Sequence, residues 1–170
     1  RLVVYDYLPD STLSRCLNLS ELAGALAADK WMNNTAPRQC IFHRARIRIA
    51  GSQTESEGYV LQAIDHGFVF DGPYWRFEGA APTAGLYFRP AAYSGIRSLD
   101  DFQPWLERVR NLPAEVIDTA RRQIPPEWLI DGDDALLDSI LEQLWERRKQ
   151  VGTFIENARR AKPEFFPDWR

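Results

Sequence analysis

The chain has 170 residues, of which 45% are hydrophobic, including six Trp, nine Phe and six Tyr. This content is enough for a folded core and argues against a disordered chain. The 21 basic and 24 acidic residues give a net charge of -3. Because binding to nucleic-acid phosphates needs a basic excess, we expect no nucleic-acid partner. The basic clusters at 121–122, 147–149 and 159–160 lie among acids on helical patterns, and we interpret them as solvated helix faces.

The two cysteines, Cys16 and Cys40, lie far apart in the sequence. A small secreted domain normally contains more cysteines, so this count favours reduced thiols in a cytoplasm, with a single disulfide as the alternative. No window of about 18 apolar residues predicts a membrane span, and no charged start followed by an apolar stretch predicts a signal peptide. We therefore expect a cytoplasmic protein without a membrane partner.

A short strand and a helix are predicted at the start of the chain. Residues 2–7 have the composition of a strand. Polar residues at 18–21 and apolar residues at helical spacing predict a helix that runs to about Trp31. Pro37 forbids its continuation, so the helix should stop near residues 33 and 34.

A β-hairpin is predicted next. Residues 39–50 alternate in character, and arginines occupy one face, which should be wet or paired with acids. The polar segment 51–58 is the expected tip, and residues 59–64 are the expected return strand. The aromatic segment 68–77 is interrupted by Gly and Pro and is expected to pack irregularly onto the core.

From Ser98 onward the pattern is helical. Ser98 is a predicted N-cap of a first helix with an apolar stripe, and a second helix is predicted from residues 111–113 to the position before Pro125. A third helix opens at 131–134 and carries an apolar stripe that continues to Ile155. The tail, residues 162–170, either docks on the body or frays. These elements predict an α+β, mostly helical fold in a single domain.

The two ends of the predicted hairpin bring polar residues together. Because its strands run antiparallel, the loop before the first strand and the turn after the second lie at the same end. We therefore expect Asp65 to face three loop residues, namely Asn34, Arg38 and Gln39. Mg²⁺ prefers hard oxygen ligands, so Asp65 with an amide oxygen of Gln39 or Asn34 suits this ion. Arg38 either neutralises phosphate charge or pairs with Asp29 or Asp65.

These residues also have purely structural interpretations. Asp65 can be a turn residue whose carboxylate accepts hydrogen bonds only from backbone N–H groups, and His66 can be a structural residue of the same turn. The spacing of Cys40, His43 and His66 is not a zinc pattern. Motifs of P-loop, Rossmann and α/β-hydrolase chemistry are not found in the sequence.

Several runs of residues resemble the HipA-like kinase family in their order and spacing. The resemblance is carried by residues 28–35 (ADKWMNNT), 38–44 (RQCIFHR) and 63–68 (AIDHGF), and it continues through 74–77, 85–87, 102–106, 124–128 and 147–148. It covers nearly the whole chain. The order of a catalytic loop followed by Ile-Asp-x-Gly also resembles the phosphoinositide kinases, as more distant relatives.

The resemblance implies a protein-kinase-like C-terminal lobe in which a β-hairpin is flanked by helices, and it covers residues 1–170 as a single domain. It implies ATP and Mg²⁺ as cofactors and a protein hydroxyl as acceptor. Asp65 would bind the metal with Gln39, and the loop over 34–39 would be the catalytic loop, with Asn34 and Arg38 also near the nucleotide.

Two departures from the family pattern change this expectation. The family's catalytic base is an Asp just after an Asn-Thr pair, and Ala36 stands there instead. Ala cannot accept a proton, so no catalytic base is carried over and we predict weak or no transfer. Residues 1–17 are too short for a kinase N-terminal lobe and are expected to be a remnant of it or a hinge. The alternative is a pseudokinase or interaction module whose helical half binds a protein partner.

Overall fold

The structure, a computed structural model, describes residues 3–48, 53–75, 77, 79 and 81–170. In this part of the chain the fold is α+β, as predicted, with six α-helices, one three-stranded antiparallel sheet and a helical content of about 47%. The strands are β1 (Val4–Tyr5), β2 (Gln39–Arg48) and β3 (Glu55–Ile64). The helices are α1 (Asp10–Leu13), α2 (Glu21–Trp31), α3 (Trp105–Arg110), α4 (Ala114–Gln123), α5 (Asp133–Arg147) and α6 (Val151–Ala161). Within the same residues, no helix combines the length and the apolar character that crossing a membrane requires.

The hairpin of β2 and β3 has a longer return strand than the sequence pattern indicates. Gln39 pairs with Ile64 at its base, and the pairing continues without interruption to the first residue of β3. The prediction of a loop over 51–58 is therefore wrong for 55–58, because cross-strand pairing extends the strand into polar sequence. The end of the first predicted strand and the start of the predicted tip, residues 49–52, lie outside the described residues.

The base of this hairpin is buried and its outer part is exposed. Phe42 is fully buried, whereas Arg44 and Arg46 further along the same face of β2 are exposed. Their guanidinium groups lie 3.4 and 3.3 Å from the carboxylate of Glu57 on β3. The predicted wet arginine face is confirmed. The same face of β2 is buried at Phe42 and exposed to solvent at the arginines.

The short helix α1 is not predicted from the sequence. Four residues are too few to show a helical period, so no local signal identifies it. Leu13 of α1 is fully buried and joins the main core. The preceding strand, predicted over 2–7, is limited to β1 among the described residues, and Leu2 lies outside them.

Helix α2 is the centre of the core and has the predicted bounds. Its residues Leu22 and Leu26 are buried, and it packs against α3 and α6. Gly24 permits the close approach of α3, because a Cβ at this position would lie 2.7 Å from the ring of Trp105. The last turn of α2 delivers Asp29 and Lys30 to the loop that precedes β2.

The first helix predicted after the hairpin is divided in two. Ser98 caps a short 3-10 turn over Leu99–Phe102, and its Oγ accepts a hydrogen bond from the backbone N–H of Asp100 at 3.2 Å. Helix α3 begins only after Pro104, because a proline confines the residue before it to extended backbone. The predicted cap is confirmed, and the predicted continuous helix is wrong.

The third predicted helix is also divided. Its apolar stripe from Leu136 to Ile155 does not belong to one helix, because α5 ends at Arg147 and α6 begins at Val151. Val151 and Ile155 are buried in the main core, where α6 packs on α2, while α5 packs on α4. One stripe in the sequence therefore serves two separate packing surfaces.

The C-terminal tail docks on the body. Phe165 and Phe166 are buried in the main core, and the backbone N–H of Gly95 donates to the carboxylate of Asp168 at 2.7 Å. Of the two outcomes expected for the tail, docking is the one observed. The aromatic segment after the hairpin is irregular, as predicted, with a kinked 3-10 turn over Val69–Tyr74.

Gly85 allows its segment to lie against α2, and Gly95 provides a matched control. Gly85 has φ of +75°, and a Cβ there would lie 2.6 Å from Cβ of Asp29; Gly95 has φ of +93° with nothing within 4 Å. We expect Gly85→Ala to lower the free energy of unfolding by about 3 kcal/mol and Gly95→Ala by about 1 kcal/mol, because only the first adds a clash to backbone strain. Urea denaturation measures both losses. Equal losses would contradict the close packing of Gly85.

Candidate functional site

A buried ion pair between Asp29 and Arg38 joins the end of α2 to the start of β2. The two residues are 2% and 4% exposed. Nε of Arg38 donates to Oδ2 of Asp29 at 2.8 Å, and Nη2 donates to Oδ1, so the pairing is bidentate. Nη1 donates to the backbone carbonyls of Ile64 and Asp65 at 2.7 and 3.2 Å. One guanidinium group therefore connects α2, the loop and the end of β3, and the pairing of Arg38 with Asp29 is the predicted alternative that is observed.

The loop over residues 33–38 is fixed by the same carboxylate. The side-chain amide of Asn34 donates to Oδ1 of Asp29 at 2.9 Å, and its oxygen accepts from the backbone N–H of Ala36 at 3.2 Å. Asn34 is buried. The expected position of Asn34 opposite Asp65 is therefore not observed, because its amide completes the hydrogen bonding of a buried carboxylate instead.

Asp65 and Gln39 lie together at the end of the hairpin, as predicted. Nε2 of Gln39 donates to Oδ2 of Asp65 at 2.8 Å, and both residues are exposed. Oδ1 of Asp65 accepts from the backbone N–H of Gly67 at 3.4 Å. Asp65 has φ of +58°, a left-handed conformation that Asp adopts more readily than most residues. The turn thus leaves an accessible carboxylate beside the loop.

The donor set at this end of the hairpin suits a hard cation that takes further ligands from its surroundings. Asp65 supplies carboxylate oxygens, and proteins commonly bind Mg²⁺ through one or two carboxylates together with waters and substrate phosphates. Gln39 directs its amide N–H group to Asp65, so its amide oxygen would reach a cation there only after the side-chain amide turns over. Across the described residues, no group of three or more His, Cys, Asp or Glu could bind a metal ion. Ala36 offers only a methyl group in the neighbouring loop, so the predicted base position lacks a proton acceptor.

A buried lysine beside the loop is not identified by the sequence pattern. Lys30 is 6% exposed, and its Nζ donates to the carbonyls of Pro82 and Ala84 at 2.7 and 2.5 Å. Burial lowers the pKa of Lys30 to about 8, an effect that Asp29 opposes and Arg147 increases. The carbonyl partners lie more than fifty residues further along the chain, so no local signal could have identified this contact.

Arg147 is a second cation at the end of α2. The interpretation of 147–149 as a solvated cluster is wrong for Arg147, which is partly buried with its guanidinium carbon 4.9 and 4.4 Å from the ring centroids of Phe77 and Phe154. Its Nη2 donates to the carbonyl of Lys30 at 2.7 Å and to Oδ1 of Asn33 at 3.3 Å. Arg147 therefore ties α5 to the start of the loop.

Both cysteines are free and buried, so the disulfide alternative is not observed. Burial raises the pKa of the Cys40 thiol to about 12, and burial also raises the pKa of the Cys16 thiol. A thiol acts as a nucleophile only as the thiolate. Neither cysteine therefore adds a reactive group to the site.

We expect the loss of either partner of the buried ion pair to be strongly destabilising, because the other charge stays buried without a counterion. Asp29→Ala and Arg38→Met should each lower the free energy of unfolding by about 3 to 5 kcal/mol. The double variant should lose much less than the sum of the two.

Urea denaturation of the single and double variants measures this coupling. Arg46→Ala is the control, because Arg46 pairs with Glu57 at an exposed position and should lose less than about 0.5 kcal/mol. Strictly additive losses for Asp29→Ala and Arg38→Met would show that the two charges do not depend on each other.

Comparison of this chain with known proteins finds no significant match. No protein-family model, no curated protein and no solved structure matches it. What the chain does is therefore inferred from the geometry at the end of the hairpin and from the spaced motifs that resemble HipA-like kinases.

Proposed function

We propose that this chain is a HipA-like, protein-kinase-related C-terminal lobe that binds ATP with Mg²⁺ and lacks efficient phosphoryl transfer. The observation that carries the proposal is the contact of 2.8 Å between Gln39 and Asp65, at the end of a hairpin and beside the loop over 33–38. A carboxylate at a strand end, next to a loop that supplies a neutral amide, is how kinases bind the metal that bridges nucleotide phosphates. The spaced sequence motifs support the same assignment.

In this proposal Asp65 binds the metal, and the amide of Gln39, whose Nε2 donates to Oδ2 of Asp65 in the structure, turns over on metal binding to supply a neutral oxygen ligand. Bound Mg²⁺ neutralises the phosphate charge that a lone carboxylate would repel. Asp65 is exposed, so a nucleotide can approach it without breaking the buried ion pair. Arg38 acts by positioning, because its guanidinium is occupied by Asp29 and by the carbonyls of Ile64 and Asp65.

Ala36 is the reason that we propose binding without efficient transfer. A positioned general base typically contributes about 10² to 10⁴-fold to a rate. The methyl group of Ala36 cannot supply this contribution. The neighbouring carboxylate, Asp29, is buried in its bidentate pair with Arg38 and is not available as a substitute.

Calorimetric titration with ATP and Mg²⁺ tests the binding site. We expect Asp65→Asn to weaken the affinity at least about tenfold, because the charge that attracts the metal is lost. Asn also adopts positive φ readily, so the turn is kept. Asp131→Asn is the matched control at an exposed acid in another turn and should bind as the wild type does. Heats that are equal in the two variants, or independent of Mg²⁺, would reject the assignment.

Restoring an acid in the loop tests the proposed loss of transfer. In Ala36→Asp we expect phosphoryl transfer to a protein acceptor or to the chain itself to rise by about 10²-fold or more, measured with labelled ATP. The combination of Ala36→Asp with Asp65→Asn should remain inactive and serves as the control. Unchanged transfer in Ala36→Asp, with ATP binding intact, would contradict the view that only the base is missing.

A second candidate function is protein binding without nucleotide. It is favoured by two large apolar side chains between α4 and α5, Trp128 and Ile130, which are 73% and 76% exposed. Neighbouring exposed residues of this size are typical of protein-binding surfaces. In this case the kinase-related scaffold presents its helical half to a partner, and wild-type protein gives no heat with ATP and Mg²⁺.

A further inference from the structure

A small pocket beside the loop concentrates positive charge. It lies between the end of α2, the segment 79–84 and helices α5 and α6, and its volume is about 90 Å³. The polar side chains that line it belong to Asp29, Lys30, Asn33, Asn34, Arg147 and Asn157. Neither Asp65 nor Gln39 lines this pocket, so it is separate from the proposed cation site.

Among the residues that the structure describes, the charges that line the pocket do not balance. Lys30 and Arg147 are its two cations among the described residues, and Asp29 is its acid. The carboxylate of Asp29 is already paired with Arg38 in a bidentate contact. Burial is the main cause of the lowered pKa of Lys30; Asp29 opposes this lowering, and Arg147 adds to it. Buried charge without a counterion is costly, so an anion in the pocket would be favoured.

The pocket also provides hydrogen-bond donors around this charge. An ammonium group has three donors, and the backbone carbonyls of Pro82 and Ala84 accept two hydrogen bonds from Nζ of Lys30. Arg147 and Asn157 also line the pocket. Nε and Nη2 of Arg147 donate to the carbonyls of Trp31 and Lys30 and to Oδ1 of Asn33, so Nη1 is the nitrogen of this group with which we expect a ligand to bond. Donors that surround an excess of positive charge are the chemistry that recognises an oxyanion.

The size of the pocket limits the ligand. One water molecule needs about 10 to 15 Å³ of such volume, so 90 Å³ accommodates several waters or one small ion. Its floor at Asn33 and Asn34 is buried, and its rim at Ala81 and Pro82 is exposed. A group bound on the floor can therefore remain attached to a larger molecule that extends past the rim.

We propose that this pocket binds a tetrahedral oxyanion of the phosphate class, either as free phosphate or as a phosphate monoester. Lys30 and Arg147 supply the charge, and the neighbouring amides supply further hydrogen bonds. The site needs neither Mg²⁺ nor a nucleotide, so it is independent of the cation site at Asp65.

Calorimetric titration with inorganic phosphate in magnesium-free buffer, with chloride used to keep the ionic strength constant, tests the site. The wild type should bind phosphate. Asn157→Asp should weaken this binding at least about tenfold, because the new carboxylate neutralises positive charge of Lys30 and Arg147 and repels the anion. The contact of Asn157 Oδ1 with Nη1 of Arg160, 3.2 Å, can be kept by Asp. Asn111→Asp, the same change at an exposed residue after α3, is the matched control and should retain wild-type affinity.

Thermal unfolding gives a second readout. In phosphate-free buffer Asn157→Asp should have a higher Tm than the wild type, because the new carboxylate compensates the charges of Lys30 and Arg147. Added phosphate should raise the Tm of the wild type and leave that of this variant unchanged. Absence of phosphate binding in the wild type, or equal losses in Asn157→Asp and Asn111→Asp, would overturn the proposal. Titration with O-phosphoserine distinguishes the sources: comparable affinity identifies a monoester site, and binding of inorganic phosphate alone identifies a site for the free ion.

Discussion

The buried ion pair of Asp29 and Arg38 joins the end of α2, the loop before β2 and the end of β3. Charges in a protein interior are costly to bury and more costly to separate, so the pair leaves the loop between them few other conformations. The same guanidinium binds the backbone carbonyls of Ile64 and Asp65. The position of the exposed Asp65 carboxylate therefore depends on the buried ion pair of Asp29 and Arg38.

In this fold apolar packing positions the helices and strands, and polar contacts fix the loop between α2 and β2. The main core, formed around α2 with α3, α6 and the base of the hairpin, sets where the ends of the elements lie. Hydrogen bonds from Asn34, Lys30 and Arg147 then fix the loop and its neighbours, because buried polar groups need partners with defined geometry. Binding residues are commonly found on loops that a stable scaffold positions.

The two proposed ligand sites adjoin the same loop and have opposite chemistry. In the proposals, the carboxylate of Asp65 with the amide of Gln39 binds a cation, and buried Lys30 with partly buried Arg147 binds an anion. The residues of each site are held in place by hydrogen bonds to backbone carbonyls and by residues near the end of α2, and not by the residues of the other site. Ala36 lies within the loop and contributes no charge to either, so the loop provides no base for transfer at this position.

The sequence by itself determined the features that follow local rules. Polar residues at its start and apolar periodicity predicted α2, Pro113 and Pro125 predicted the ends of α4, and antiparallel pairing predicted that Gln39 and Asp65 meet, because these rules involve near neighbours or a single hairpin. Only the tertiary structure decided that Arg38 pairs with Asp29, that Arg147 is an internal contact, and that one apolar stripe divides into α5 and α6. A charged or apolar residue shows the same local pattern whether it faces water, core or a distant backbone carbonyl, since what packs against it comes from remote parts of the chain.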